Sequence, residues 1–239
     1  KEFPFGEGGR CRCAYSTLSG IHATREVDHY WRLRLLRPAA LSRAAEDAGH
    51  TVISCDIEQF GNIDIVGDIL EIPLSKYLVY PIDCIWASPP CTTFSIASIG
   101  THWNENREPK TEAAIKGLKI LDKTLEIIKV VNPKYWYIEN PRGMMRKMDQ
   151  MKGLNRTTIW YCKYGDSRAK PTDIWSNNIA NLFNQNGWLP RAECHNGNKN
   201  CHHEPAPRGS KTGTQGLKNN HERSKIPEKL CAEIIDTLI

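Results

Sequence analysis

Two short segments constrain this chain more than anything else in it. Ser88-Pro-Pro-Cys91 follows the apolar run Ile82-Asp-Cys-Ile-Trp-Ala87, and Glu139-Asn-Pro141 follows Tyr135-Trp-Tyr-Ile138. Both runs predict buried strands. Between them Thr111 caps a long helix, whose Ile115, Leu118, Leu121, Leu125 and Ile128 recur at helical spacing until Asn132-Pro133 stops it. A right-handed strand–helix–strand crossover brings both strand ends to one edge of a sheet, so a thiol and a carboxyl converge on one pocket. Two prolines ahead of Cys91 fix the backbone and present the sulfur as a covalent nucleophile requires. Each segment alone has a plainer reading: Cys91 as a core cysteine in a tight turn, Glu139 as a solvated acid at a strand exit. Their pairing across a crossover is far more specific.

The rest of the chain continues the alternation. Leu41 to Gly49 reads as a helix, Thr51-Val-Ile-Ser-Cys-Asp56 as a buried strand ending in an acid, and Ile63 to Val66 as a short strand before Gly67-Asp68. This order predicts an α/β fold, a doubly wound and mostly parallel sheet with its site at the carboxyl edge. Residues 92–110, rich in Ser, Thr, Asn and charge, read as a long mobile loop of the kind kept for function. Beyond Met151, Thr157 to Tyr161 and Thr172 to Trp175 read as strands, and Ile226 to Ile239 as an amphipathic helix with Pro227 in its first turn. The expected organisation is a catalytic core over 40–180, a small loop-rich lobe over 181–225, and a helix over 226–239 that returns to the core. Residues 1–39 stand apart, because their cations are nearly all arginine (Arg10, Arg12, Arg25, Arg32, Arg34, Arg37) whereas lysine predominates afterwards. That shift reads as a separate basic arm or as sequence foreign to the domain.

With 239 residues, 40% of them hydrophobic, the chain can bury one sizeable core. A net charge of +5 permits a nucleic-acid partner without requiring one. No run approaches the roughly 18 apolar residues of a membrane span, and the first residues lack the order of a secretory signal, so a cytoplasmic location is expected. Nine scattered cysteines in a chain of this size read as core fillers, metal ligands or nucleophiles rather than a disulfide framework.

The motifs resemble those of a known family. Asp83-Cys-Ile-Trp-Ala-Ser-Pro-Pro-Cys-Thr-Thr-Phe-Ser95 looks like the Pro-Cys motif of the DNA cytosine-5 methyltransferases, and Tyr137-Ile-Glu-Asn-Pro141 like their Glu-Asn-Val motif in a Glu-Asn-Pro form. Tyr164-Gly-Asp-Ser-Arg168 is similar to their later arginine-bearing motif, and residues 40–239 as a whole resemble the compact versions common in bacteriophages. The resemblance implies a Rossmann-like, S-adenosylmethionine-dependent enzyme acting as a monomer on double-stranded DNA in a bacterial or phage-infected cell. Cys91 would add to carbon 6 of cytosine so that carbon 5 becomes nucleophilic. A protonated carboxyl at ring nitrogen 3 offsets the charge pushed onto the ring, and Glu139 fits that part. Arg168 would hold the base or its phosphate, and the base must leave the duplex for carbon 6 to be reached. Loop 92–110 is the expected lid.

By the same resemblance Asp56 or Glu58 accepts the cofactor's ribose hydroxyls and Asp68 its adenine amino group, with Pro89 beside them. Ser95, Arg208, Lys211 and Thr212 are assigned to DNA contact; the last three lie in Arg208-Gly-Ser-Lys-Thr-Gly-Thr-Gln-Gly216, rich in backbone donors, hydroxyls and cations. Cys162, Cys194, Cys201 and His202 make a tetrahedral zinc site conceivable, bracing a lobe too small for a core of its own. The sequence departs from the family where its Phe-x-Gly-x-Gly turn is expected, since Leu36-Arg-Pro-Ala-Ala40 offers no glycine for close backbone approach. A DNA-binding relative without activity is therefore one rival reading. A second is a thymidylate-synthase relative, but that family follows its cysteine with His, and here Thr92 stands.

Overall fold

The computed structural model describes residues 39–204 and 224–238, apart from 60, 62, 74, 76–80 and 196, together with the backbone of segments 12–14, 24–26 and 32–36. Arg208, Lys211 and Thr212 lie outside the described residues. The first two segments, β1 (Arg12–Ala14) and β2 (Thr24–Glu26), pair antiparallel with one another.

The third, β3 (Arg32–Leu36), is followed by α1 (Ala39–Asp47), β4 (Thr51–Asp56), β5 (Ile65–Val66), β6 (Cys84–Ala87), α2 (Ile99–His102), α3 (Glu112–Val131), β7 (Tyr135–Pro141), β8 (Arg156–Trp160), β9 (Pro171–Ser176) and α4 (Glu228–Ile235). Seven strands form one sheet in the order β5-β4-β3-β6-β7-β9-β8. Strands β5 to β7 run parallel, and β9 and β8 complete the sheet antiparallel. The order doubles back at β3, where β4 and β6 flank a common neighbour, so the carboxyl edge opens a crevice there.

This is the doubly wound α/β sheet that the alternation predicts. One strand comes from an unexpected source. β3 lies between β4 and β6 yet falls inside the arginine-rich segment that composition sets apart. Central parallel strands normally read as continuous apolar runs, and Arg32-Leu-Arg-Leu-Leu36 interrupts that signal with two cations.

Alternation along β6 builds the two core layers. Cys84 and Trp86 join the cluster that holds Leu41 and Ala45 of α1 and Leu230, Cys231 and Ile234 of α4. Ile85 and Ala87 join the opposite cluster with Phe94, Leu121 and Ile127. Helix α3 starts where expected, the Thr111 hydroxyl accepting from the Ala114 amide at 3.2 Å. It ends at Asn132, whose left-handed φ of 49° is one that Asn tolerates better than most residues. Strand β7 runs three residues past Ile138, because its antiparallel ladder with β9 pairs Glu139, Asn140 and Pro141 with Ile174, Asp173 and Thr172.

The reading of 92–110 as a mobile loop needs correction. A short 3-10 turn and α2 occupy part of it, and Trp103, only 2% exposed, sits in the core. The Trp103 indole N–H donates to the Thr93 carbonyl at 2.7 Å, and its ring lies 5.5 Å from that of Phe94. One aromatic anchor in a polar stretch ties down what composition alone suggests is loose.

Candidate active site

Parallel pairing of β6 with β7, in register from Cys84↔Tyr135 to Ala87↔Ile138, sets Ser88 and Glu139 side by side at the carboxyl edge. Two further contacts lock the Cys91 turn against the Glu139 segment. The Asn140 side-chain amide donates to the Pro89 carbonyl at 2.8 Å, and the Met144 amide donates to the Phe94 carbonyl at 2.6 Å. The Trp86 indole N–H donates to the Ser88 hydroxyl at 2.9 Å, which fixes the entry to the turn. Cys91 itself is half-buried.

Two glycines permit this close approach. A Cβ at Gly117, on α3, would sit 2.8 Å from the Thr93 hydroxyl oxygen and 3.3 Å from the Phe94 ring. At Gly143 it would lie 2.0 Å from the Phe94 carbonyl oxygen, a backbone atom that no rotamer can move aside. Gly143→Ala is therefore expected to separate the Cys91 and Glu139 segments and lower stability by about 3 kcal/mol, read as a shift in the denaturant midpoint. A midpoint within about 0.5 kcal/mol of the parent would show that the two turns are not locked.

Glu139 is 5% exposed, and its Oε1 accepts from the hydroxyl of the fully buried Tyr161 at 3.0 Å. Burial, reinforced by the Glu139 charge, pushes the Tyr161 phenol well above its ordinary range, so it stays protonated and donates. Lys170 completes the group. Its ammonium lies 4.6 Å from the centroid of the Tyr161 ring. Burial holds the ammonium below the usual lysine range, against the opposing pull of Glu139 and Cys91, so a cation shares the field of both groups. Its backbone adopts φ 24°, which a non-glycine residue holds only where its surroundings enforce it.

Tyr161 and Lys170 are absent from the residues that the sequence singles out. Lys170 stands between the bend at Arg168 and the start of β9, where no periodicity marks it. Arg168 is buried, and its guanidinium is ion-paired with Asp166 and donates to the Lys225 carbonyl at 3.3 Å. The structure thus places Arg168 as a brace within the protein. Ser95 lies beside the turn, its hydroxyl 2.9 Å from that of Ser98.

An open groove runs along the carboxyl ends of β4, β5 and β6, lined by Asp56, Asp68, Pro89, Pro90, Ile57 and Ile69 among others. It brings together Asp56, Asp68 and Pro89, three of the four residues assigned to a cofactor. Asp56 is 7% exposed at the end of β4. Glu58 is exposed, does not line the groove, and gives its backbone N–H to Asp56 Oδ1 at 3.2 Å. Between Asp56 and Glu58, the geometry favours the first. The carboxylate of Asp68 is held by Lys116 at 2.7 Å, and that hydrogen bond draws its pKa below the ordinary value.

Cys162 and, from the lobe, Cys194, Cys201 and His203 place one ligand atom each within 4.8 Å of one another. The sequence reading names His202, but the structure brings in its neighbour. Consecutive residues of an extended stretch point to opposite sides, so only one of the pair faces the three sulfurs.

The sheet has the Rossmann-like α/β fold of the methyltransferases, and the turn leading to Cys91 lines the groove at its carboxyl edge through Pro89 and Pro90. Residues 54–159 match the family model of the C-5 cytosine-specific DNA methylases. A probable DNA (cytosine-5)-methyltransferase of Frog virus 3 (isolate Goorha) is 27% identical over 199 residues, covering 77% of this chain and 88% of that protein. Among solved structures, the Entamoeba histolytica methyltransferase EhMeth shares the fold, with a TM-score of 0.53 at 11% identity over 88% of this chain and 98% of that one. The S. pombe Dnmt2 methyltransferase matches with a TM-score of 0.44 and 14% identity over 62% of this chain, which spans 49% of that structure. No helix among the described residues is long and apolar enough to cross a membrane.

Proposed function

We propose that this chain transfers a methyl group from S-adenosylmethionine to carbon 5 of a cytosine in double-stranded DNA, with Cys91 as nucleophile and Glu139 as acid. One observation carries the reading: a strand-end thiol and a buried carboxyl are clasped at one sheet edge, beside a groove with two carboxylates. Sγ of Cys91 adds to carbon 6 of the ring, and the electron pair of the 5,6 double bond moves toward carbon 5 and nitrogen 3. Glu139 delivers its proton to nitrogen 3, while the phenol of Tyr161 fixes which carboxyl oxygen faces the base. Lys170 stabilises the thiolate before addition. Once carbon 5 has gained the methyl group it loses its proton to solvent, the carbon–sulfur bond breaks and returns the thiolate of Cys91, and nitrogen 3 hands its proton back to Glu139.

The groove's donor set fits S-adenosylmethionine: carboxylates for hydroxyl and amino donors, and Ile57, Ile69 and two prolines for an apolar ring. Asp56 would accept from the ribose and Asp68 from the adenine, with Pro89 against the ring. Bound there, the cofactor supplies an electrophilic methyl group. Arg168 we assign to bracing the loop that carries Lys170. The lobe over 181–225 reads as the target-recognition element, with Ser95 at the DNA-facing turn, and zinc in its Cys–His cluster would be structural, since no step above moves an electron pair onto a metal.

Incubation with S-adenosylmethionine labelled in its methyl group and duplex DNA tests this reading directly. Label recovered in 5-methylcytosine is the expected result. A folded, DNA-binding chain that transfers no label would favour the inactive relative, and turnover of free dUMP would favour the thymidylate-synthase type.

A further inference from the structure

We infer that Cys162, Cys194, Cys201 and His203 bind one structural zinc ion that staples the lobe to the segment carrying Tyr161. The four ligand atoms lie mutually within 4.8 Å, with Cys194 Sγ 3.5 Å from His203 Nε2. Three thiolates and an imidazole form a soft tetrahedral donor set that suits zinc, and four protein ligands leave no open position, the arrangement of structural rather than catalytic sites. Coordination releases the thiol protons to solvent.

The local architecture supports the site independently of the ligand count. Of the described residues 189–204, Cys194 is the one that is buried. The cluster around it contains just two other buried residues, Trp160 and Ala169, with Cys162 and Cys201 packed against them. So small an apolar nucleus cannot hold a polar, sixteen-residue loop in one conformation, which is where proteins use a metal instead. The loop is nonetheless shaped around the sulfur. The Asn198 side-chain amide donates to Cys194 Sγ at 3.3 Å, and the Cys201 amide donates to the Asn198 carbonyl at 3.1 Å, closing a turn that returns the chain to the same point. Donors of this kind hold the sulfur in place and spread its negative charge.

The ligands come from both sides of a junction. Cys162 follows Tyr161, the hydrogen-bond partner of Glu139, while the other three belong to the lobe. Just beyond His203, the Glu204 amide donates to the Ser167 carbonyl at 3.0 Å, so the lobe also grips the loop leading to Arg168 and Lys170. An ion at this junction fixes the lobe relative to the acid's partner. The metal assignment stands without the methyltransferase reading; only its bearing on Glu139 rests on that reading.

The test uses the full chain, produced with zinc in the medium and purified without metal-chelating resin, with metals measured by mass spectrometry. About one zinc per chain is expected. His203→Ala should cut retained zinc at least about tenfold after dialysis, and His202→Ala should retain it. Should His203→Ala fail to fold, exchange of the parent chain with cobalt decides the matter, since a three-sulfur tetrahedral site gives intense visible bands and a thiolate charge-transfer band. Absence of both zinc and the cobalt bands from a folded chain would overturn the proposal. So would stoichiometric iron, a disulfide among the three cysteines, or loss of zinc from His202→Ala but not His203→Ala. Zinc present without methyl transfer would leave this inference intact while rejecting the enzymatic one.

Discussion

Cys91→Ala is expected to reduce methyl transfer by on the order of 10⁴-fold or more while leaving the fold and DNA binding in place. The size follows from the chemistry. Carbon 5 of cytosine is a weak nucleophile, and it becomes reactive only when a thiolate has added to carbon 6; without the sulfur, a bound methyl donor and a well-placed acid have nothing to act on. The fold should survive because Cys91 is half-buried, and the turn is held by other atoms: the Pro89 carbonyl accepting from Asn140, the Phe94 carbonyl accepting from Met144, and the Trp103 indole donating to Thr93. Removal of one partly exposed sulfur costs less than about 1 kcal/mol. Labelled methyl counts on duplex DNA, taken beside thermal unfolding and a binding isotherm, separate the two effects. Transfer by Cys91→Ala at the parent rate would remove Cys91 from the mechanism, and unfolding of the variant would contradict the account of the turn.

Much of this site was legible before the structure because it lies at strand ends. A strand ending in Pro-Pro-Cys, a capped helix and a strand ending in Glu-Asn-Pro admit one handed arrangement, and the register of β6 against β7 is its result. Asp56 and Asp68 line the groove for the same reason: each follows a short apolar run. The reading failed where tertiary contacts overrule local composition. Arg32 and Arg34 hide a central strand, because the signal for such strands is an unbroken apolar run and these two cations break it. Trp103 anchors a stretch that looks polar and loose, through a single indole. His203 and not His202 meets the sulfurs, since adjacent residues of an extended chain face opposite ways and no spacing rule tells which faces inward. Tyr161 reads as the end of an apolar strand, and only the turn that follows β8 reveals that its hydroxyl donates to Glu139.

That hydroxyl sets up a graded test of the acid. Glu139→Gln keeps the shape of the side chain and its capacity to accept from Tyr161, yet it has no carboxylic proton to give nitrogen 3, so kcat should fall by about 10²–10⁴-fold. Tyr161→Phe leaves the acid in place and removes one donor from a buried carboxyl, so the loss should be nearer tenfold, the worth of a single hydrogen bond of about 1.4 kcal/mol. The double variant should lose no more than Glu139→Gln alone, because Tyr161 acts on catalysis only by orienting Glu139 and has no carboxyl left to orient; additive losses would mean that Tyr161 has an independent part. The binding isotherm for DNA should be unchanged in all three, since neither side chain is proposed to contact the phosphate backbone. A Glu139→Gln variant that turns over at the parent rate would show that nitrogen 3 takes its proton elsewhere. Lys170 would then be the group to examine, as the cation whose field already reaches both Glu139 and Cys91.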